Sequence, residues 1–397
     1  MRYLQVSLLL ALLLAASLAV SVVDLTPLLV DPQSGEAAAT AAAILSALSA
    51  EGLFIATVTG ANPYNITTTD AASSLRRINT AREVFKFSEE LKVKFSARFD
   101  NESFGRGFIP FGRESGMVDT FYEVKEGFSY GSFDTDPYDR STNPLRSSNI
   151  FPGGDNDTND SGFSISAIKQ TLRAVYEEHS VVLGSIVRAV SHALGDDALL
   201  ADCSSSDKES LMRLFHYFNA DSDSKSPKLS TGGARIGSSP HTDWGLLTSI
   251  LQDGTGGLQF LSDDSQWVDV PAVPGQIVIN AGDYLSLRTR ASTRARVKSP
   301  VHRVVLKDTG EGGADRISFV LFYYPNYSSS LREVFGAAQD QACTGGVLHN
   351  TLTAGGEGGA ESLFGDYIMS KWMGVLQRPL ESGVHAAGDS HVNLYDV

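Results

Sequence analysis

The chain has 397 residues, 42% of them hydrophobic, and a formal net charge of −14. That length suits an elaborated domain with a sizeable core, and the acidic balance excludes a nucleic-acid partner, which needs a basic surface. Two cysteines, Cys203 and Cys343, exclude a disulfide scaffold and a Cys-rich zinc or iron–sulfur centre, and leave room for one disulfide.

Met1-Arg2 precedes an apolar run from Leu4 to Val23, with no charge before Asp24. A positive start followed by an apolar stretch predicts a secretory signal peptide or signal anchor over residues 1–22, with small residues for cleavage at Ser17-Leu18-Ala19. A bilayer span takes about 20 apolar residues, so membrane attachment through residues 4–23 competes with cleavage. A strand behind a misplaced start codon is the third reading. The expected location is the endoplasmic reticulum lumen or outside the cell, with the cytoplasm as alternative. Sequons at Asn65, Asn101, Asn156, Asn159 and Asn326 agree with secretion, although such triplets also arise by chance.

Residues 35–50 are Ala-rich and helical in propensity, and Leu53–Val58 reads as a short buried strand. A helix is predicted over Ala71–Phe95, with Leu75, Ile78 and Phe85 on one face. Residues 131–162 are polar and read as an exposed loop. From Ser164 to Leu194, Ile165, Ile168, Leu172, Val175, Leu183, Ile186 and Val190 approximate helical spacing, and Gly195 is a natural stop. His179 and His192 on this helix are read as ordinary helix residues. Short segments punctuated by Gly, Asp and Pro follow. Leu246–Leu251, Gly257–Leu261, Trp267–Val270, Gln276–Asn280, His302–Leu306 and Arg316–Tyr324 all read as strands. Such a series implies a sandwich or barrel of jelly-roll type. One more helix is predicted near Ser362–Gln377. The organisation expected is an N-terminal α/β region over 23–200, a jelly-roll core over 201–335, and a C-terminal loop and helix over 336–397.

His241-Thr242-Asp243 places an imidazole and a carboxylate two residues apart, on the same side of an extended backbone. His302, in another strand, can supply a third ligand. Two histidines and one carboxylate leave coordination positions open, the pattern of non-haem Fe(II) oxygenases. A structural zinc site would need a fourth protein ligand, and none is apparent. Arg316-Ile317-Ser318 puts two polar side chains on one strand face, opposite apolar Ile317, Phe319 and Leu321. A buried Arg demands an anionic partner, and its guanidinium can hold a carboxylate through two parallel bonds, with Ser318 adding a third.

Several segments together resemble the iron(II)/2-oxoglutarate-dependent dioxygenases of the isopenicillin N synthase-like family. They are Pro240-His241-Thr242-Asp243-Trp244-Gly245-Leu246-Leu247-Thr248, Gly256-Gly257-Leu258-Gln259, Val278-Ile279-Asn280-Ala281-Gly282-Asp283, Ser299-Pro300-Val301-His302-Arg303-Val304 and Arg316-Ile317-Ser318-Phe319. Upstream, Val23–Leu28, Gly112–Gly116 and Lys125-Glu126-Gly127-Phe128 are also similar. The resemblance implies a mainly β fold with flanking helices, a double-stranded β-helix or distorted jelly roll. It implies Fe(II) held by His241, Asp243 and His302, and 2-oxoglutarate bound by Arg316 and Ser318, with Tyr217 helping to hold it. Asn280 falls near the metal or substrate, or in a structural turn, and Phe322 is a candidate for the substrate pocket. The activity implied is hydroxylation or desaturation of a small organic metabolite by a monomeric enzyme, with release of succinate and CO2 and with ascorbate as reductant. The basic segment Arg288–Arg294 departs from the family pattern, and it borders the pocket in relatives. The alternatives are an oxidase of the same fold, in which Arg316 and Ser318 bind the substrate's carboxylate, and a non-catalytic metal-binding protein.

Overall fold

The computed structural model describes residues 20–97, 104–113, 123–133, 143–153, 158, 162–204, 208–219, 235–290, 292–306, 315–331 and 363–376. Two sheets form its centre. The larger is built from β1 (Val22–Asp24), β2 (Leu53–Thr57), β3 (Gly107–Ile109), β4 (Lys125–Tyr130), β5 (Leu211–Tyr217), β7 (Leu247–Gln252), β10 (Ile277–Ala281) and β12 (Arg316–Tyr323). Their order across the sheet is β1-β2-β10-β7-β12-β5-β4-β3. The smaller is built from β6 (Arg235–His241), β8 (Leu258–Leu261), β9 (Trp267–Asp269) and β11 (His302–Leu306), in the order β6-β11-β8-β9. The jelly-roll expectation holds. Strands β3, β4, β5 and β6 are not among the sequence-predicted ones; β6 carries Gly237 and Pro240, and Lys125, Glu126 and Ser129 make β4 half polar.

Helices flank the sheets: α1 (Thr26–Val30), α2 (Gly35–Ala50), α3 (Ala71–Arg82), α4 (Glu89–Lys94), α5 (Ile165–Leu194), α6 (Asp197–Ala201), α7 (Asp283–Arg288) and α8 (Phe364–Leu376), with α2, α3 and α5 packed on the large sheet. Helix α5 forms as its periodicity predicts. Ser164 caps it and Gly195 ends it at φ +64°. Its Ile168, Leu172, Val175, Leu183 and Ile186 join one apolar core with Ile317, Phe319 and Leu321 of β12. A second, smaller core lies between the sheets and includes Phe215, Ile250, Leu258, Val304 and Val320.

Four expectations change. The helix over Ala71–Phe95 is three pieces: α3, a 3₁₀ turn at Glu83–Lys86, and α4. Phe87 and Ser88 turn extended, and the Ser88 hydroxyl accepts from Leu91 N at 3.3 Å, which starts a new helix. The cap outcompetes continuation, burying Ile78 and Phe85 while Leu75 stays 38% exposed. The second change is in the polar loop, part of which is buried: Asn143, Leu145 and Ser147 are enclosed, with the Ser147 hydroxyl accepting from Phe104 N and the Leu145 carbonyl from Arg106. Third, Val20 and Val23 are buried and β1 pairs with β2, so the last residues of the apolar run belong to the sheet. Last, Asn326 is buried and donates to the Ala201 carbonyl at 2.9 Å, which closes that sequon to a glycan. Asn65 is exposed, and the other three sequon asparagines and Cys343 lie outside the described residues. Among the described residues, no helix is long and apolar enough to cross a membrane.

Candidate metal centre and cavity

Strand β6 ends at His241, directly opposite His302 of β11 in the antiparallel pair. Beyond β6 the chain bends tightly and is pinned to the start of α7. Asp283 N donates to the Asp243 carbonyl at 2.7 Å, and Tyr284 N to the Gly245 carbonyl at 3.1 Å. This approach needs glycine, since a Cβ on Gly282 would lie 2.3 Å from the Gly245 carbonyl oxygen. The turn delivers Asp243 to the two histidines. Ligand atoms of His241, Asp243 and His302 all lie within 4.8 Å of one another. The imidazole Nε2 atoms stand 3.8 Å and 3.9 Å from the Asp243 carboxylate oxygens.

Both rings are oriented alike. His241 Nδ1 meets the Ser239 carbonyl at 2.6 Å, and His302 Nδ1 meets the Pro300 carbonyl at 3.1 Å. A proton held on Nδ1 leaves the Nε2 lone pair facing the centre. Desolvation, then neighbouring His302, push the His241 imidazolium down to about 4, so the ring is neutral at pH 7. Burial pushes the Asp243 carboxyl up, but His302, His241 and the Asn280 amide outweigh it and hold it below the usual range. A buried carboxylate facing two imidazole Nε2 atoms is a donor set for a cation, and hard oxygen with imidazole nitrogen suits Fe(II). Asn280 Nδ2 donates to Asp243 at 2.7 Å. Asn280 therefore sits on a strand beside Asp243, not in a turn, and it is not among the residues that line the cavity.

The centre opens onto a cavity of about 150 Å³ between the sheets. Arg316 lines it, buried to 2% exposure, with bonds to Ser318 Oγ at 3.2 Å and Gln252 Oε1 at 3.1 Å. Its guanidinium lies 4.7 Å from the centroid of the Tyr217 ring, its cross-strand neighbour. The Arg316 Nε has no hydrogen-bond partner, and among the described residues no carboxylate pairs with the side chain. Phe322 also lines the cavity, as the sequence suggested, together with Trp244, Tyr324 and Arg213.

The structure adds residues that the sequence reading missed. Trp372 of α8 reaches the cavity, edge-on to Trp244 at 5.1 Å. Glu123 and Lys125 form a buried ion pair in the wall, with Nζ to Oε2 at 2.6 Å. The signal available was the i, i+2 spacing of two charges in Glu123-Val124-Lys125. Conversely, none of the described residues of the segment 288–294 lines the cavity. Arg288 pairs with Asp196 and Asp202, and Arg294 donates to the Ala193 carbonyl at the end of α5. His179 and His192 stay outside the centre; His179 is buried against Ser249 at 2.8 Å, and burial pushes its pKa down to about 4.

Comparison with known proteins agrees with this geometry. A family model for the 2OG-Fe(II) oxygenase superfamily matches residues 208–325. A probable iron/ascorbate oxidoreductase of Dictyostelium discoideum is 30% identical over 273 residues, 65% of this chain and 70% of that protein. The 2-oxoglutarate-dependent dioxygenase citB of Monascus ruber is 28% identical over 324 residues, 80% of this chain and 88% of that protein. A full-length Neurospora crassa protein, crystallised in complex with alpha-KG and thymine, shares the fold at TM-score 0.64 and 21% identity, over 89% of this chain and 96% of that one. The chain belongs to the 2OG-Fe(II) oxygenase superfamily.

Proposed function

We propose that His241, Asp243 and His302 hold Fe(II), that Arg316 and Ser318 bind the distal carboxylate of 2-oxoglutarate beside Tyr217, and that the remaining cavity takes a small organic substrate. Bound together, Fe(II) and 2-oxoglutarate supply the oxidising power: O2 is consumed, succinate and CO2 leave, and the substrate is hydroxylated or desaturated. The chain's own part is placement. Arg316 anchors one end of the co-substrate. The rings of Phe322, Tyr324, Trp244 and Trp372 form the apolar wall and restrict water. Ascorbate would serve to keep the iron ferrous.

The carrying observation is the buried Arg316, aimed into the cavity with Nε unsatisfied. An oxidase of the same fold could use that cation for the substrate's carboxylate. This reading has some support, because a 1-aminocyclopropane-1-carboxylate oxidase of Dictyostelium discoideum is 28% identical over 280 residues, 63% of this chain and 69% of that protein. Succinate measured against O2 uptake, with the Fe(II)-loaded protein and a small-molecule library, separates the two. Stoichiometric succinate supports the proposal, and O2 uptake without 2-oxoglutarate sinks it.

The proposal extends to location. The N-terminal apolar run reads as a secretory signal, and cleavage at the small residues Ser17-Leu18-Ala19 would leave the buried Val20 in the mature fold. With Val20 buried and Val22 and Val23 in β1, the apolar stretch left for a span is shorter than the about 20 residues a bilayer needs. This favours a lumenal or secreted protein over an anchored one. A C-terminally tagged chain that stays diffuse in the cytosol, with no mobility change on glycosidase treatment, would overturn this and leave the metal-centre proposal standing.

A further inference from the structure

Glu123 stands at the entry to β4, 3% exposed, and both its carboxylate oxygens are engaged. Oε2 faces Lys125 Nζ. Oε1 accepts from Ser239 N at 2.7 Å and from the Ser239 hydroxyl. Lys125 in turn donates to Ser238 Oγ at 3.1 Å. The pair thus clamps residues 238 and 239 of β6 from across the gap between sheets, beside a backbone bond from Val124 N to the Ile236 carbonyl. The Ser239 carbonyl, at the end of this clamp, is the group that His241 Nδ1 meets at 2.6 Å.

A buried ion pair contributes little net stability compared with apolar side chains of the same volume. Its placement here has another consequence. The matching carbonyl behind His302 belongs to Pro300, whose ring already restricts the backbone. Ser239 precedes Pro240, which keeps its backbone extended, and the carboxylate adds a hold on its N–H and hydroxyl.

We propose that Glu123, paired with Lys125, is a positioning residue for His241: it fixes the Ser239 peptide so that its carbonyl accepts the hydrogen bond from Nδ1–H and Nε2 is turned to the metal. This rests on the assignment of His241, Asp243 and His302 as the ligand set. Groups that orient a ligating histidine typically change metal affinity or activity about 10–100-fold when removed.

Two double variants of the full chain isolate the effect: Glu123→Gln with Lys125→Met, and Glu123→Leu with Lys125→Met. Both delete the ion pair at similar volume, and only the first keeps an acceptor for Ser239. Co(II) serves as probe, titrated anaerobically and followed by its visible absorption bands, with melting temperature recorded in parallel. The Gln/Met double should bind Co(II) within about threefold of wild type with the same bands. The Leu/Met double should bind about 10–100-fold more weakly, with shifted bands. Equal affinity and identical bands in the two doubles overturn the proposal, whatever the melting temperatures. If the Leu/Met double does not fold, a tenfold or greater loss in the Gln/Met double overturns it, since the acceptor is retained there. A wild-type chain that fails to bind Co(II) instead removes the ligand assignment itself.

Discussion

Strand β12 buries both of its faces, and they do different things with that burial. Ile317, Phe319 and Leu321 face the helices and are apolar to the last atom. Arg316, Ser318, Val320 and Phe322 face the space between the sheets, where a guanidinium and a hydroxyl are taken out of water alongside apolar neighbours. The helix side is filled by α5, so its energetics are those of close packing. The cavity side is left open by about 150 Å³, so its polar groups keep bonding capacity for a ligand. One alternating sequence thus builds a stabilising wall and a receptive one. Damage to the first should appear as lost stability, and damage to the second as lost binding.

The largest expected effect lies at the receptive wall. His241→Ala, Asp243→Ala and His302→Ala should each abolish stoichiometric iron binding, because three protein ligands leave no redundancy. Iron content of the purified variants checks this. Near-normal iron in all three would sink the ligand assignment. Melting temperatures without metal should hardly fall.

The packed wall should give the converse pattern. Phe319→Ala should destabilise the fold by about 3–5 kcal/mol, as for a fully enclosed aromatic, with metal affinity of the folded fraction unchanged. Phe322→Ala merely enlarges an existing space and should stay within about 1 kcal/mol, while raising the substrate KM. Urea unfolding of the two variants decides the comparison. Equal losses would mean that the cavity wall is packed like the core.

Arg316→Leu should raise the KM for 2-oxoglutarate at least about 30-fold, since leaving one partner of a buried charged contact alone costs about 2–5 kcal/mol. Iron should remain bound. An unchanged 2-oxoglutarate dependence would hand Arg316 to the substrate or to structure.

The sequence made the two faces of β12 legible because period-2 alternation is local: Arg316-Ile317-Ser318-Phe319 states its own geometry. The cluster of His241, Asp243 and His302 was legible for a related reason, as spacing within His241-Thr242-Asp243 puts two donor side chains together and strand context supplies His302. Features decided by distant partners were not legible. Arg288 looked like a pocket residue until Asp196 and Asp202, some 90 residues earlier, turned out to claim it. Asn280 could be placed near the metal, but its bond to Asp243 depends on how β10 and the post-β6 turn meet. The break after α3 was readable in principle from Ser88-Glu89-Glu90-Leu91, a helix-start signal that a long apolar period masked.

The smallest expected effect comes from the edge where the two walls meet. His216, on the helix-facing side of β5, joins Glu126 of β4 and Asp315 before β12, at 2.9 Å from each of its ring nitrogens. Lys92 of α4 bonds the other oxygen of Glu126, and the rings of Phe85 and Phe218 pack against the imidazole. Desolvation pulls the His216 pKa down, but the bonds to Asp315 and Glu126 outweigh it, and the net shift is upward. A histidine whose folded value exceeds its unfolded value of about 6.5 stabilises the fold fully below that pH, and loses the contribution as pH rises through the folded value. Wild type should therefore melt above His216→Gln near pH 6, and the two should converge as pH climbs past neutrality. Melting temperatures across pH 5.5–9 test this. Parallel curves would mean that His216 is held uncharged and only packs, and the pH dependence would then have to come from elsewhere in the chain.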